Sequence, residues 1–185
     1  MRNKALDALA YSYSPSDKVL FDANILVSLF SGLEPPGSIP VRKYSQVLQR
    51  ISKAGARMLL DVLVLSEFMN VCVRKQHSLA METGGVWTSF KNYRQSADFP
   101  AVAGAVAQAA RQIVKLMSRI DHPFTQWPIE TILDEFATGQ RDFNDQLLVE
   151  LARREGALLL TNDLDFVTGG ITVLTTHPRL LAACP

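Results

Sequence analysis

Four carboxylates in this 185-residue chain end an apolar run or lie early in a helical segment: Asp22 in VLFDANILVSLF, Glu67 in VLVLSEFMN, Asp145 in DFNDQLL and Asp163 in LLLTND. Each has an ordinary explanation. Asp22 can cap a helix that begins at Ala23, and Glu67 can pair with an arginine on a packed helix. Together they raise a different possibility. Like charges about 4 Å apart repel by ~4 kcal/mol at an effective dielectric near 20, so a gathered set must hold protons or recruit a cation. Oxygen donors with no histidine or cysteine set beside them suit Mg²⁺ or Mn²⁺. Such an ion activates water and stabilises charge on a phosphoryl oxygen, and hydrolysis of a phosphodiester is the reaction that fits.

The acids can meet only if the elements carrying them converge. KVLFD (18–22), ARMLL (56–60), ALLLTND and ITVLTT read as short buried strands, with a weaker one near RIDHPF. Between them, helical patterns cover 23–31, VRKYSQVLQRISKAG up to Gly55, the segment after Asp61 through VLVLSEFMNVCVRKQHSLA, 86–96, 100–119, 128–138 and 144–156, with a last turn at PRLLAA. Asp61 is placed to cap the helix that follows it, while SGLEPPGSIP must be a loop. Short apolar strands alternating with helices predict an α/β fold, a parallel sheet of four to five strands with helices on both faces. Ligands of such sheets bind outside the carboxyl ends of the strands, which is where all four acids fall. Residues 1–17 read as a loosely packed leader, and the length suits a single domain, 1–185.

The residues FDANILV, LVLSEF and DFNDQLLVELARREGALLLTNDLDF, taken in order, resemble the PIN-domain ribonucleases, including the toxin subunits of bacterial toxin–antitoxin pairs. That resemblance spans most of residues 18–175. It implies a doubly wound three-layer sandwich, an acidic Mg²⁺ or Mn²⁺ pocket, cleavage of RNA, a homodimer and a possible antitoxin partner. Residue by residue it makes Asp22, Glu67, Asp145 and Asp163 the metal ligands. Asn24, Thr161 and Asn162 match the polar residues that orient a carboxylate or a water. Asp142 competes with Asp145 and is assigned to capping the helix or to an outer position. The chain is longer than the compact toxins, with extra sequence in the leader, the GLEPPGSIP loop and residues 81–100. A non-catalytic module of the same fold, binding RNA or protein, is the alternative, and a phosphatase acting on small molecules is a third reading.

Net charge is +1, from 19 basic and 18 acidic side chains, so no overall field draws the chain to nucleic acid and any contact must be local. Arg111, Lys115 and Arg119, four apart, would form such a stripe on one helix. Arg42 with Lys43 and Arg74 with Lys75 are weaker candidates. Trp87, Phe90 and Tyr93 recur at helical spacing and suit core packing, or an apolar surface for a partner. His77, His122 and His177 stand alone in the sequence, so no Ser-His-Asp or Cys-His nucleophile is supported. No apolar run reaches the ~20 residues that span a bilayer, and no signal-peptide core occurs, making the cytoplasm the expected location. Cys72 and Cys184 are neither a disulfide framework nor a metal pair.

Overall fold

The apolar tetrads KVLF and RMLL become adjacent central strands, and their burial explains the lack of polar alternation. In the computed structural model, which describes residues 1–139 and 141–184, β2 (Lys18–Phe21) lies between β3 (Arg57–Leu60) and β5 (Leu158–Leu160). Leu20 is in register with both Leu59 and Leu159, and all three are fully buried. β6 (Thr172–Thr175) follows β5, β1 (Lys4–Asp7) forms one edge and β4 (Ser118–Arg119) the other. The order is β1-β6-β5-β2-β3-β4 and every pairing is parallel. Strands covered on both faces gain from continuous apolar sequence, each buried Leu or Phe contributing about 1.5–3 kcal/mol.

Helices link the strands: α1 (Ala23–Phe30), α2 (Ile39–Lys53), α3 (Val62–Glu82), α4 (Phe90–Arg94), α5 (Phe99–Leu116), α6 (Ile129–Ala137), α7 (Phe143–Glu155) and α8 (Pro178–Ala183). Three start on an aspartate whose side chain caps the first turn. Asp22, Asp61 and Asp142 accept the backbone N–H of Asn24, Leu63 and Asp145 respectively, and satisfy donors that the first turn leaves free. At the other end of α7, Gly156 takes the left-handed conformation (φ 59°), which closes the helix and turns the chain into β5.

Among the described residues the sheet has six strands, where four to five are expected from the sequence. The extra strand is β1, inside the supposedly loose leader. KALD carries no apolar run, and its partner β6 lies at the far end of the chain, so no local signal marks it. The leader is in fact well fastened. The buried Asn3 amide donates to the Phe166 carbonyl at 3.1 Å and accepts from the Ile171 N–H at 3.0 Å, while Tyr13 donates to the Ala8 carbonyl at 3.0 Å.

The strand expected near RIDHPF comes earlier and is only two residues long, because α5 stops at Leu116 and Met117 already has extended backbone. The helix expected over 86–96 shrinks to α4. Of its aromatic residues Tyr93 is buried, with Trp87 and His77 packed on it at ring distances of 4.8 and 5.1 Å. Among the described residues, no helix is long and apolar enough to cross a membrane.

Candidate acidic site

From β2 the chain winds outward through β3 to β4, then returns to lay β5 and β6 on the other side of β2. The reversal falls between β2 and β5, and a crevice opens at the carboxyl end of such a switch point. Asp22 follows β2 directly and Asp163 comes just after β5. α3 contributes Glu67, and the first turn of α7 contributes Asp145.

Asp22 is the most buried of the set, 6% exposed, and the best connected. Its Oδ2 accepts the Thr161 hydroxyl at 2.5 Å and the Asn24 amide at 2.7 Å, and its Oδ1 accepts the Asn24 backbone N–H at 3.4 Å. The cap and the acid cluster are therefore one residue, and the two sequence explanations of Asp22 do not exclude each other. Thr161 Oγ1 also accepts the Asp163 backbone N–H at 3.0 Å, so a single hydroxyl ties the ends of β2 and β5 together. Asn162 extends the network, its Oδ1 accepting the hydroxyl of the buried Tyr44 at 2.8 Å and its N–H donating to Asn24 Oδ1 at 3.3 Å. Tyr44 is a positioning residue that reaches the site from α2.

The carboxylates act on one another electrostatically. Burial pushes the Asp145 carboxyl up to about 8, helped by the charges of Asp142, Asp22, Asp163 and Glu67. Asp22 is raised to about 6, mainly by burial, with its hydrogen bonds from Thr161 and Asn24 opposing. Glu67 moves in the same direction through burial, then Asp22, Asp142 and Asp163. All four predicted acids thus share one electrostatic neighbourhood, with Asp142 as a fifth member that also caps α7. Glu67 departs from expectation in one respect. It lies on the exposed side of α3, and among the described residues no arginine or lysine forms an ion pair with it, or with Asp22, Asp145 or Asp163.

Two hollows meet at Glu67. A narrow crevice of about 10 Å³, room for about one water-sized particle, lies between α3 and α7 and is lined by Asp22, Glu67, Asp145, Asp61 and His122. An open groove of about 470 Å³ runs the other way, past Asn24, Asp163 and Asn162 to Lys75 and His177. Its far wall includes Glu34 of the proline-rich loop, which accepts the Ser28 and Ser38 hydroxyls at 2.8 and 3.2 Å. A larger cavity of about 510 Å³ beside Arg141 and Arg153 contains none of the clustered acids.

The basic stripe does not reach this site. Arg111 and Lys115 are exposed on the flank of α5 beside Met69 and Val114, and Arg119 is on β4, not on that helix. Lys75, one of the weaker sequence candidates, is the lysine that lines the groove. The sequence reading also treated Asp61 only as a cap and His122 as isolated. Their side chains meet, Asp61 Oδ2 to His122 Nδ1 at 2.9 Å. For Asp61 the signal was available, since it follows the predicted strand ARMLL; His122 lies inside the segment expected as the weak strand, RIDHPF, and comes to the strand end only because β4 stops at Arg119.

The donor chemistry fits a hard divalent cation. Crowded, unpaired carboxylates are relieved by positive charge, and every donor is oxygen. Among the described residues no three acidic, histidine or cysteine side chains already converge on one point, so the carboxylates ring the crevice without closing on its centre.

A family model described as PIN domain matches residues 19–169. No curated protein sequence matches the chain. Among solved structures, a VapBC2 from Rickettsia felis, bound to a DNA fragment from the promoter, is 16% identical with a TM-score of 0.53, over 84% of this chain and 96% of that one. PAE2754 from Pyrobaculum aerophilum is 15% identical with a TM-score of 0.49, over 90% and 96%.

Proposed function

Since the chain belongs to the PIN domain family, we propose that it is a metal-dependent endoribonuclease, hydrolysing RNA phosphodiesters at the acidic crevice. The observation that carries this reading is the set of mutually repelling, unpaired carboxylates at the switch point of a parallel sheet. Asp22, Glu67, Asp145 and Asp163 would hold Mg²⁺ or Mn²⁺, and a bound ion supplies activated water and neutralises charge at a phosphoryl oxygen. Asp22, fixed by three hydrogen bonds, cannot swing away when substrate arrives. Glu67 is solvent-accessible where crevice and groove meet, a place from which it can take a proton from the attacking water. The deciding experiment is cleavage of a mixed single-stranded RNA pool by purified protein with Mg²⁺, Mn²⁺ or EDTA, beside Asp22→Asn. Metal-dependent cutting lost in the variant supports the reading; no cutting by folded protein supplied with metal shifts it to a binding module.

Two further outcomes follow from the surroundings of the acids. Thr161→Val keeps the shape of a fully buried side chain but removes the hydroxyl that orients Asp22. Loss of such a supporting partner lowers metal affinity or activity by about 10–100-fold, measurable by titrating Mn²⁺ against the cleavage rate. Wild-type metal dependence in this variant would show that Asp22 needs no such support.

Lys75 is exposed on the groove wall, where a phosphate of the RNA strand can lie within reach. Lys75→Ala should raise KM several-fold with kcat little changed, and reduce the slope of log KM against log salt by about 0.7. An unchanged slope would remove Lys75 from the RNA path.

The reading extends to a protein partner. The Rickettsia felis structure is a VapBC2 complex, and here an apolar hollow of about 310 Å³ between α1, α3 and α5, lined by Phe30, Leu33, Phe68 and Val106, offers a seat for apolar side chains of an antitoxin.

A further inference from the structure

We propose that His122 donates the proton to the leaving oxygen in the hydrolysis described above, held for that task by Asp61. The inference rests on the hydrolytic reading and adds to it a residue outside the four-carboxylate set.

Three neighbouring strands deliver the parts. Leu20 is in register with Leu59, and Leu60 with Arg119. The residues just beyond those strands, Asp22 after β2, Asp61 after β3 and His122 after β4, therefore emerge side by side at one edge. Asp61 is nearly buried, its side chain 2% exposed, and both its oxygens are used: Oδ1 accepts the Leu63 N–H at 2.8 Å and Oδ2 is 2.9 Å from His122 Nδ1. An ionised carboxylate only accepts, so the hydrogen between them sits on Nδ1. Trp127 packs edge-on against the imidazole at a ring distance of 4.1 Å and limits its rotation. The remaining nitrogen, Nε2, makes no hydrogen bond among the described residues, although the ring lines the crevice that holds Asp22, Glu67 and Asp145. Among the described residues those three and Asp61 are the charged groups that line the crevice with the ring, and no lysine or arginine does.

This arrangement has the parts of an orienting carboxylate and a proton-transfer imidazole. When the ring is protonated both nitrogens carry hydrogen, and Nε2–H is the one free to be given. Water oxygen attacks phosphorus and passes its surplus proton to Glu67, which releases it to solvent. The bond from phosphorus to the leaving nucleoside oxygen breaks, and the Nε2 proton moves to that oxygen, which departs as a hydroxyl. The ring is left neutral with Nδ1–H still on Asp61, and is reprotonated from solvent before the next turnover.

A merely structural His122 would need only the Nδ1 bond that anchors the chain after β4. His122→Asn separates the two roles, because the asparagine amide nitrogen occupies the place of Nδ1 and keeps the tie to Asp61 while Nε2 is lost. The assay uses Mn²⁺ and an RNA oligonucleotide with its natural linkage. Two further oligonucleotides carry sulfur at one or the other bridging oxygen, since a thiolate departs without being protonated. The expected result is a fall in kcat on natural RNA of about 10²-fold, with KM and thermal midpoint unchanged. The defect should shrink to a few-fold on one of the sulfur-bridged substrates.

Should the asparagine variant unfold, Asp61→Asn, which keeps an oxygen for the helix cap, is expected to slow natural RNA about tenfold and to spare the same sulfur-bridged substrate. Full activity on natural RNA, or equal slowing on natural and sulfur-bridged substrates, overturns the inference and leaves the ribonuclease reading standing. A folded wild-type protein that cuts no RNA with either metal removes both.

Discussion

Asp145→Asn lowers metal-dependent RNA cleavage by at least about 10³-fold, with the fold intact. A ligand that fixes a divalent ion contributes several kcal/mol of charge stabilisation in the transition state, and each 1.36 kcal/mol is about tenfold in rate. The fold survives because the Asp145 carboxylate is not the cap of α7. That work is done by Asp142, which accepts the backbone N–H of residue 145 whatever its side chain is. The substitution also removes a charge that burial and four neighbouring acids disfavour. Asp22→Asn should match the loss of activity for a different reason. Asparagine is as good a helix cap as aspartate, but once its single oxygen caps α1 the amide nitrogen stands in the place of Oδ2 and cannot accept from the Thr161 hydroxyl or the Asn24 amide, so the tie between β2 and β5 is rearranged as well. Cleavage of labelled RNA and the circular dichroism of each variant check both parts. Either variant folded and cutting at the wild-type rate would dismiss its carboxylate from the reaction.

The contrast between what could and could not be read from the sequence follows the range of the interactions involved. β2, β3 and β5 are legible because a strand buried on both faces must be apolar throughout, and three or four such residues leave an unmistakable run. Asp22 and Asp163 stand out for the converse reason, since each follows such a run, and Asp145 for its place at the start of the helix that leads into β5. β1 and β4 lie at the sheet edges, where one side is open and polar residues are tolerated, so their identity depends on pairing with β6 and β3 rather than on composition. Arg119 belongs to β4, not to the helix that its spacing suggests. A spacing of four reads as a helix face only while the helix continues, and α5 ends three residues before it. His122 is the most instructive omission. Its partner lies 61 residues away, and only the parallel adjacency of β3 and β4 joins them.

The site's chemistry also reshapes the stability of the whole protein. Freed of metal, the protein should be most stable in mild acid and lose stability as the pH rises towards about 8, and divalent cation should reverse that loss. The folded Asp22 carboxyl lies at about 6 and Asp145 at about 8, both above the ordinary value of 3.8, and Glu67 is raised too. A group raised in the folded state binds its proton more tightly there than in the unfolded chain. Its contribution is therefore complete below the unfolded value and disappears as pH climbs through the folded one, here a window from about 4 to about 8.

For buried Asp22 alone, the rise from 3.8 to about 6 corresponds to up to about 3 kcal/mol. In a domain of this size that is several degrees of thermal midpoint. Metal binding has the opposite pH dependence, because the ligands must first lose their protons. The stabilisation it brings, which grows with the logarithm of metal concentration over Kd, is therefore largest at the alkaline end of the window. Thermal unfolding in EDTA and in Mg²⁺ or Mn²⁺ between about pH 5 and about pH 8 should give two curves that nearly coincide in acid and diverge with rising pH. In Asp145→Asn the EDTA curve should flatten and the gap narrow. Parallel curves would mean that the cation binds somewhere other than these carboxylates, and an EDTA curve rising across the window would mean that the acids are not crowded in solution.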